Sequence, residues 1–170
     1  MTSTEGLFNR QKTARATQRI DPCEMQSPIS RQALAAWLRL RGKRRFPSRK
    51  NVSPKELGAL LRNIALVRVI DGGRDFEFRI LGDAVVQAGP EIEPGMTTAE
   101  LDRKFPGFGK TLHAIYKAVC REGAPRAYRG LFERNDGHAY FHESLVLPLG
   151  SDDTAVDHLL VVGIYAPLSR

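Results

Sequence analysis

Between Ser53 and Gly82 the chain reads SPKELGALLRNIALVRVIDGGRDFEFRILG, and this stretch constrains the fold more than any other. Ser53-Pro54-Lys55-Glu56 has the form of a capping box, with proline at the first helical position where its missing N–H costs nothing. A short helix running to Leu61 is the expectation. Ile64 to Ile70 is apolar at every position except Arg68, the pattern of a strand covered on both faces. Asp71-Gly72-Gly73-Arg74 supplies glycines where a tight hairpin needs positive φ. The next strand alternates, with Phe76, Phe78 and Ile80 on the inward side and Glu77 and Arg79 on the other. The segment therefore predicts two paired antiparallel strands.

The rest of the chain extends that beginning into a sheet. Short helical pieces are predicted over Asp83 to Gln87 and from Thr97 or Thr98 to Arg103, separated by a connection through Pro94 and Gly95. A longer helix from about Gly107 to Arg121 carries Phe108, Leu112, Ile115, Tyr116 and Val119 on one face, with Lys110, His113, Lys117 and Arg121 away from it. Three strands follow, over Arg126 to Arg134, His138 to Leu149 and about Asp157 to Pro167. Two strands, then helices, then three strands predict an α+β domain: one five-stranded antiparallel sheet with helices on one face. In the last strand Leu159, Val161, Gly163 and Tyr165 alternate with Leu160, Val162 and Ile164, so the second face needs a cover as well. A helix capped by Ser27 or Ser30 and ending at Gly42 is available for it, folded back in cis or shared with a second copy of the chain. Its stripe, Leu34, Trp37 and Leu38, is the candidate interface.

Charge divides the chain unevenly. Residues 1–50 hold twelve Lys or Arg against three acids, whereas residues 51–170 hold fourteen against sixteen. Residues 1–26 are expected to form a flexible basic extension and residues 27–168 the folded domain. The basic segments Arg10 to Arg19 and Arg39 to Lys50 support an alternative function, a nucleic-acid-associated regulator, but few aromatics interleave the arginines and a solvated leader is the plainer reading. No apolar run approaches the roughly 20 residues of a membrane span, and residues 1–30 contain no continuous apolar signal segment, so a cytoplasmic location is expected. Cys23 and Cys120 stand in dissimilar contexts and are expected to be free thiols.

At this point the chain resembles a PAS domain over roughly residues 30–168. The Trp37-Leu38 helix, the basic turn ending in Pro47, Pro54-Lys55-Glu56-Leu57 with Leu60-Leu61, and the hairpin entering Phe76-Glu77-Phe78-Arg79-Ile80-Leu81-Gly82 are similar to a subfamily of short, stand-alone alphaproteobacterial PAS proteins. The resemblance implies a non-catalytic sensor or adaptor in bacterial signalling. It would work as a homodimer or with a protein partner of its pathway, and a small-molecule cavity would lie between the sheet and the long helix. Flavin is disfavoured, because the Asn-Cys-Arg motif of the flavin-binding branch has no equivalent here. The haem-binding branch uses a histidine on the long helix, but His113 sits about 120° from the centre of the apolar stripe and points to solvent, so haem is disfavoured too.

No catalytic signature is present. Gly107-Phe108-Gly109-Lys110-Thr111 lacks the leading glycine and preceding strand of a phosphate loop and reads as a helix start. His142, Glu143 and Ser144 are consecutive on a strand, so their side chains alternate between faces and cannot form a relay. His138 and His142 flank Tyr140 on one face without a third ligand, and no metal site is expected. The ligand-site candidates are Phe76, Phe78, Ile80, Leu112, Tyr116 and Phe132, either lining a cavity or filling the core themselves, with the Tyr116 hydroxyl as a polar tip. Arg79 is expected to pair with an acid such as Glu143 or a neighbour of Glu77.

Overall fold

The apolar runs of the last two strands put them at the centre of the sheet, where each is paired on both edges. In the computed structural model, which describes residues 17–89, 91–133 and 139–168, the strands are β1 (Gln18–Ile20), β2 (Ile64–Ile70), β3 (Asp75–Leu81), β4 (Arg126–Glu133), β5 (Ala139–Leu149) and β6 (His158–Pro167). They form one antiparallel sheet in the order β1-β4-β5-β6-β2-β3. The helices are α1 (Pro28–Arg41), α2 (Pro54–Leu57), α3 (Asp83–Ala88), α4 (Thr98–Lys104) and α5 (Phe108–Glu122). The fold class is α+β.

The sheet has six strands rather than five. The extra one, β1, pairs with the edge strand β4 through Gln18↔Arg129, Arg19↔Tyr128 and Ile20↔Ala127. It falls within the stretch expected to be a flexible extension. Residues 1–16 of that stretch lie outside the described residues, but residues 17–26 form a strand and then a tight 3-10 turn over Pro22–Glu24 capped by Asp21. Three residues with a single apolar side chain leave no readable alternation, because edge pairing is a backbone interaction.

Both faces of the sheet are covered, and they are covered differently. α1 starts at its Ser27 cap beside β5 and runs along β5 and β6, where the Trp37 indole N–H donates to the Pro148 carbonyl at 2.8 Å. Beneath it Leu145, Leu147, Leu160 and Val162 are almost wholly buried. The helix folds back in cis. Trp37 is thus a core residue, 3% exposed, and not part of an external interface; Leu34 is half-buried, and Leu38 is 45% exposed. α3, α4 and α5 lie across the opposite face, over Phe76, Phe78 and β5.

Two local expectations are revised by geometry. Ser53 caps α2 through the Glu56 N–H, but the Glu56 carboxylate reaches Arg39 on α1 at 2.6 Å instead of returning to the cap. On β3 the alternation breaks at Arg79. Leu66 pairs with Ile80 while Val67 pairs with Phe78, so Arg79 is the additional residue of a β-bulge. The bulge rotates the strand by one step: Ile80 turns to the α1 face, 45% exposed, and Leu81 takes the inward position. Arg79 itself pairs with Glu77 at 3.0 Å, which also holds Arg68 at 2.7 Å. Replacing Ile80 by serine should therefore cost no more than about 1 kcal/mol in a urea titration. An inward Ile80 would make the loss several times larger.

Candidate functional site

A cavity of about 240 Å³ lies between the sheet and α5, with α3 and the following connection closing one end. The sheet supplies its floor from residues that share one face: Ala65 of β2, Phe78 and Leu81 of β3, Tyr128 of β4, His142, Ser144 and Val146 of β5, and Val161 and Tyr165 of β6. α5 supplies the roof through Phe108, Thr111, Leu112, Ile115 and Tyr116, which recur at helical spacing. Val85 of α3 and Ile92 complete the apolar end.

Of the residues expected at a ligand site, Phe78, Leu112 and Tyr116 line this cavity. Phe76 stands behind it, fully buried and edge-on to Tyr116 at 5.4 Å between ring centroids. Ile80 faces the other way. The side chain of Phe132 lies outside the described residues, as does His138. His113 is not in the lining: its Nε2 shares a 3.0 Å hydrogen bond with the Arg74 carbonyl and its ring packs on Phe76.

The polar half of the wall is built from His142 and Ser144, which the sequence offers only as members of a rejected relay or metal pair, and from Tyr128, which carries no signal of its own. His142, Ser144 and Tyr128 form cross-strand neighbours, with Tyr128 opposite Ser144 and Tyr165 opposite His142. The signal was present as polar residues two apart on an otherwise apolar strand, but it also fits a solvated sheet face. Thr17, just ahead of β1, joins this group through a 2.9 Å hydrogen bond to His142 Nε2. It fits because the residue opposite His142 is Gly130. A Cβ there would stand 2.8 Å from Thr17 Cα and 3.0 Å from His142 Nε2.

The cavity is electrically quiet. No Asp, Glu, Lys or Arg is among its lining residues. Burial, with a smaller contribution from neighbouring Tyr165, pushes the Tyr116 hydroxyl well above its ordinary value, so it stays neutral. Cys120 is pushed up to about 11 by burial and is not a reactive thiol. Among the described residues no group of three His, Cys, Asp or Glu side chains is placed to hold a metal ion.

A sheet of this connectivity, flanked by short helices and one long helix over a central cavity, is the arrangement expected from the resemblance, and a family model described as PAS domain matches residues 25–166. The chain belongs to the PAS domain family. No curated protein matches it. The family places this PAS domain among sensory and signalling modules, which are typically non-catalytic. The matched region starts after β1, so Thr17 and the edge strand precede it.

On the opposite face the PAS domain buries one acid completely. Glu143 is 0% exposed and accepts hydrogen bonds from the N–H groups of Gln26 and Ser27, at 2.9 and 3.0 Å, and from Arg129 at 3.1 Å. Burial alone would raise its pKa, but these donors outweigh that cost and hold it below the usual glutamate range. Arg129 Nη2 also donates to the Glu24 carbonyl. The turn ahead of α1 is thus fastened to β5 and β4 by one carboxylate and its guanidinium.

The basic loop after α1 is similarly occupied. Arg44 pairs with Asp153 at 3.4 Å and donates to the Gly150 carbonyl, Arg45 reaches the Glu122 carbonyl, and Arg49 reaches Val52. Arg44 ties the loop to the β5–β6 turn and Arg45 ties it to α5, while Arg49 closes the loop on itself. No helix among the described residues is long and apolar enough to cross a membrane.

Proposed function

We propose that this PAS domain is a cytoplasmic, non-catalytic sensor or adaptor in which the contents of the cavity bias the seating of α1, and α1 carries the outcome to a second copy of the chain or to a protein partner. One observation carries the reading. Adjacent residues of β5 hold the two ends of the same N-terminal segment: His142, facing the cavity, bonds Thr17, and Glu143, facing the other side, bonds Gln26 and Ser27. The segment between them wraps the β4 edge. A molecule that fills the cavity packs against His142 and Thr17 and so acts at one end of a strap whose other end starts α1, and it needs only a different affinity for the two seatings to shift their populations. Leu38, 45% exposed on α1, supplies apolar surface for the outgoing contact. The alternative of a nucleic-acid-associated regulator is weakened, because Arg44, Arg45 and Arg49 are committed to intramolecular partners.

Hydrogen exchange on the full chain tests the strap. In His142→Ala, amides of residues 17–20 should exchange at least about tenfold faster, and the increase should extend through residues 21–27 into the first turn of α1. Faster exchange confined to residues 17–20, with α1 unaffected, would show that the cavity and α1 are not coupled.

A further inference from the structure

We propose that the cavity takes an uncharged, largely apolar molecule of one to two rings whose single hydrogen-bonding group is seated by the Tyr116 hydroxyl; this rests on the reading of the cavity as a sensor site and names the class of its ligand. The lining sorts into two ends. Phe78, Leu81, Val85 and Ile92 make the end toward β2, β3 and α3 apolar, Tyr128, His142, Ser144 and Tyr165 lie on β4, β5 and β6, and Tyr116 on α5 packs edge-on to Phe78 between the two. A molecule matched to this wall is apolar at one end and polar at the other.

Charge and size narrow the class. With no ionic side chain in the lining, an anion or cation would surrender its hydration without gaining a counter-charge. The one imidazole in the lining, His142, already has its Nε2 engaged by Thr17. Apolar cavities of about 150 Å³ accept benzene, and about 240 Å³ leaves room for roughly one more ring or an equivalent branched chain.

The Tyr116 hydroxyl is the seat for the polar group. The residue is 3% exposed, forms part of the cavity wall and packs edge-on to Phe76 and Phe78. A hydroxyl in a dry wall is stable when paired, and a polar group on a molecule in the cavity supplies such a partner. The Tyr165 ring folds back over Gly163, where a Cβ would stand 3.0 Å from the ring edge, and forms part of the cavity wall. Glycine at 163 is what allows that fold-back.

Three probes of one ring system separate the terms: 2-naphthol, naphthalene and 2-naphthoate, titrated calorimetrically into the full chain at neutral pH. 2-Naphthol should bind about tenfold more tightly than naphthalene, the equivalent of one neutral hydrogen bond in a dry site, and about tenfold or more tighter than 2-naphthoate. Tyr116→Phe, which removes one oxygen and keeps the packing, should abolish the preference for naphthol over naphthalene while leaving naphthalene binding within about twofold. Equal or tighter binding of 2-naphthoate overturns the uncharged class and leaves the cavity standing as a ligand site. An unchanged naphthol preference in Tyr116→Phe overturns the assigned seat. If none of the three binds, the ligand class falls, while the sensor reading is still decided by hydrogen exchange in His142→Ala.

Discussion

Trp37→Ala lowers the unfolding free energy by about 3–5 kcal/mol, the range for deleting a buried aromatic ring. The ring is 3% exposed, and its N–H is the partner of the Pro148 carbonyl. Truncation therefore leaves a cavity under α1 and an unpaired acceptor in a central strand. For a domain whose whole stability is about 5–15 kcal/mol, this is a large share. Guanidinium titration followed by far-UV circular dichroism measures it, since the substitution removes the only tryptophan. Leu38→Ala is the control: at 45% exposure its loss should stay under about 1 kcal/mol, while any self-association through α1 weakens. A Trp37→Ala protein as stable as the wild type would mean that α1 does not dock on its own sheet.

Trp37 also marks the boundary between what the sequence reveals and what it does not. Its position on an apolar stripe was legible, and so was the need for a cover on the second sheet face, because β6 is apolar on both sides. Whether that stripe meets its own sheet or another chain is not contained in periodicity, since both solutions bury the same residues. The β-bulge is a second case. Phe76, Phe78 and Ile80 alternate without interruption, and an inserted residue at Arg79 is visible only in the pairing with β2, where Leu66 and Val67 skip from Ile80 to Phe78. Alternation fixed the face of the first two residues and misplaced the third. β1 was illegible for a different reason: a three-residue edge strand is held by backbone hydrogen bonds and by Thr17 resting over Gly130, neither of which requires a side-chain pattern. The cavity's apolar residues on α5 were legible from helical spacing. Its polar wall was not, because His142 and Ser144 look the same in sequence whether the sheet face is wet or covered.

Glu143→Gln should cost about 3 kcal/mol at neutral pH, and the cost should disappear in acid. The carboxylate is fully buried and takes two backbone N–H groups and a guanidinium at once. An amide of the same shape presents N–H groups to donors on one side, leaving buried polar groups without partners. Removing one member of such a cluster typically costs about 3–5 kcal/mol, and Arg129, with its side chain 26% exposed, recovers part of that from water. The sign of the pH dependence follows from the depressed pKa. A carboxylate held below its unfolded value of about 4.3 binds fewer protons folded than unfolded, so its contribution is complete above that value. It is lost as pH falls through the folded pKa. The stability difference between wild type and Glu143→Gln should be constant from neutral pH down to about 5 and shrink below about 4.3. Trp37 emission offers a second readout in both proteins: release of the turn ahead of α1 exposes the indole and shifts its emission to longer wavelength, in acid for the wild type and already at neutral pH for the variant. A difference that does not vary with pH would mean that the ionised form of Glu143 is not what fastens the N-terminal strap to β5.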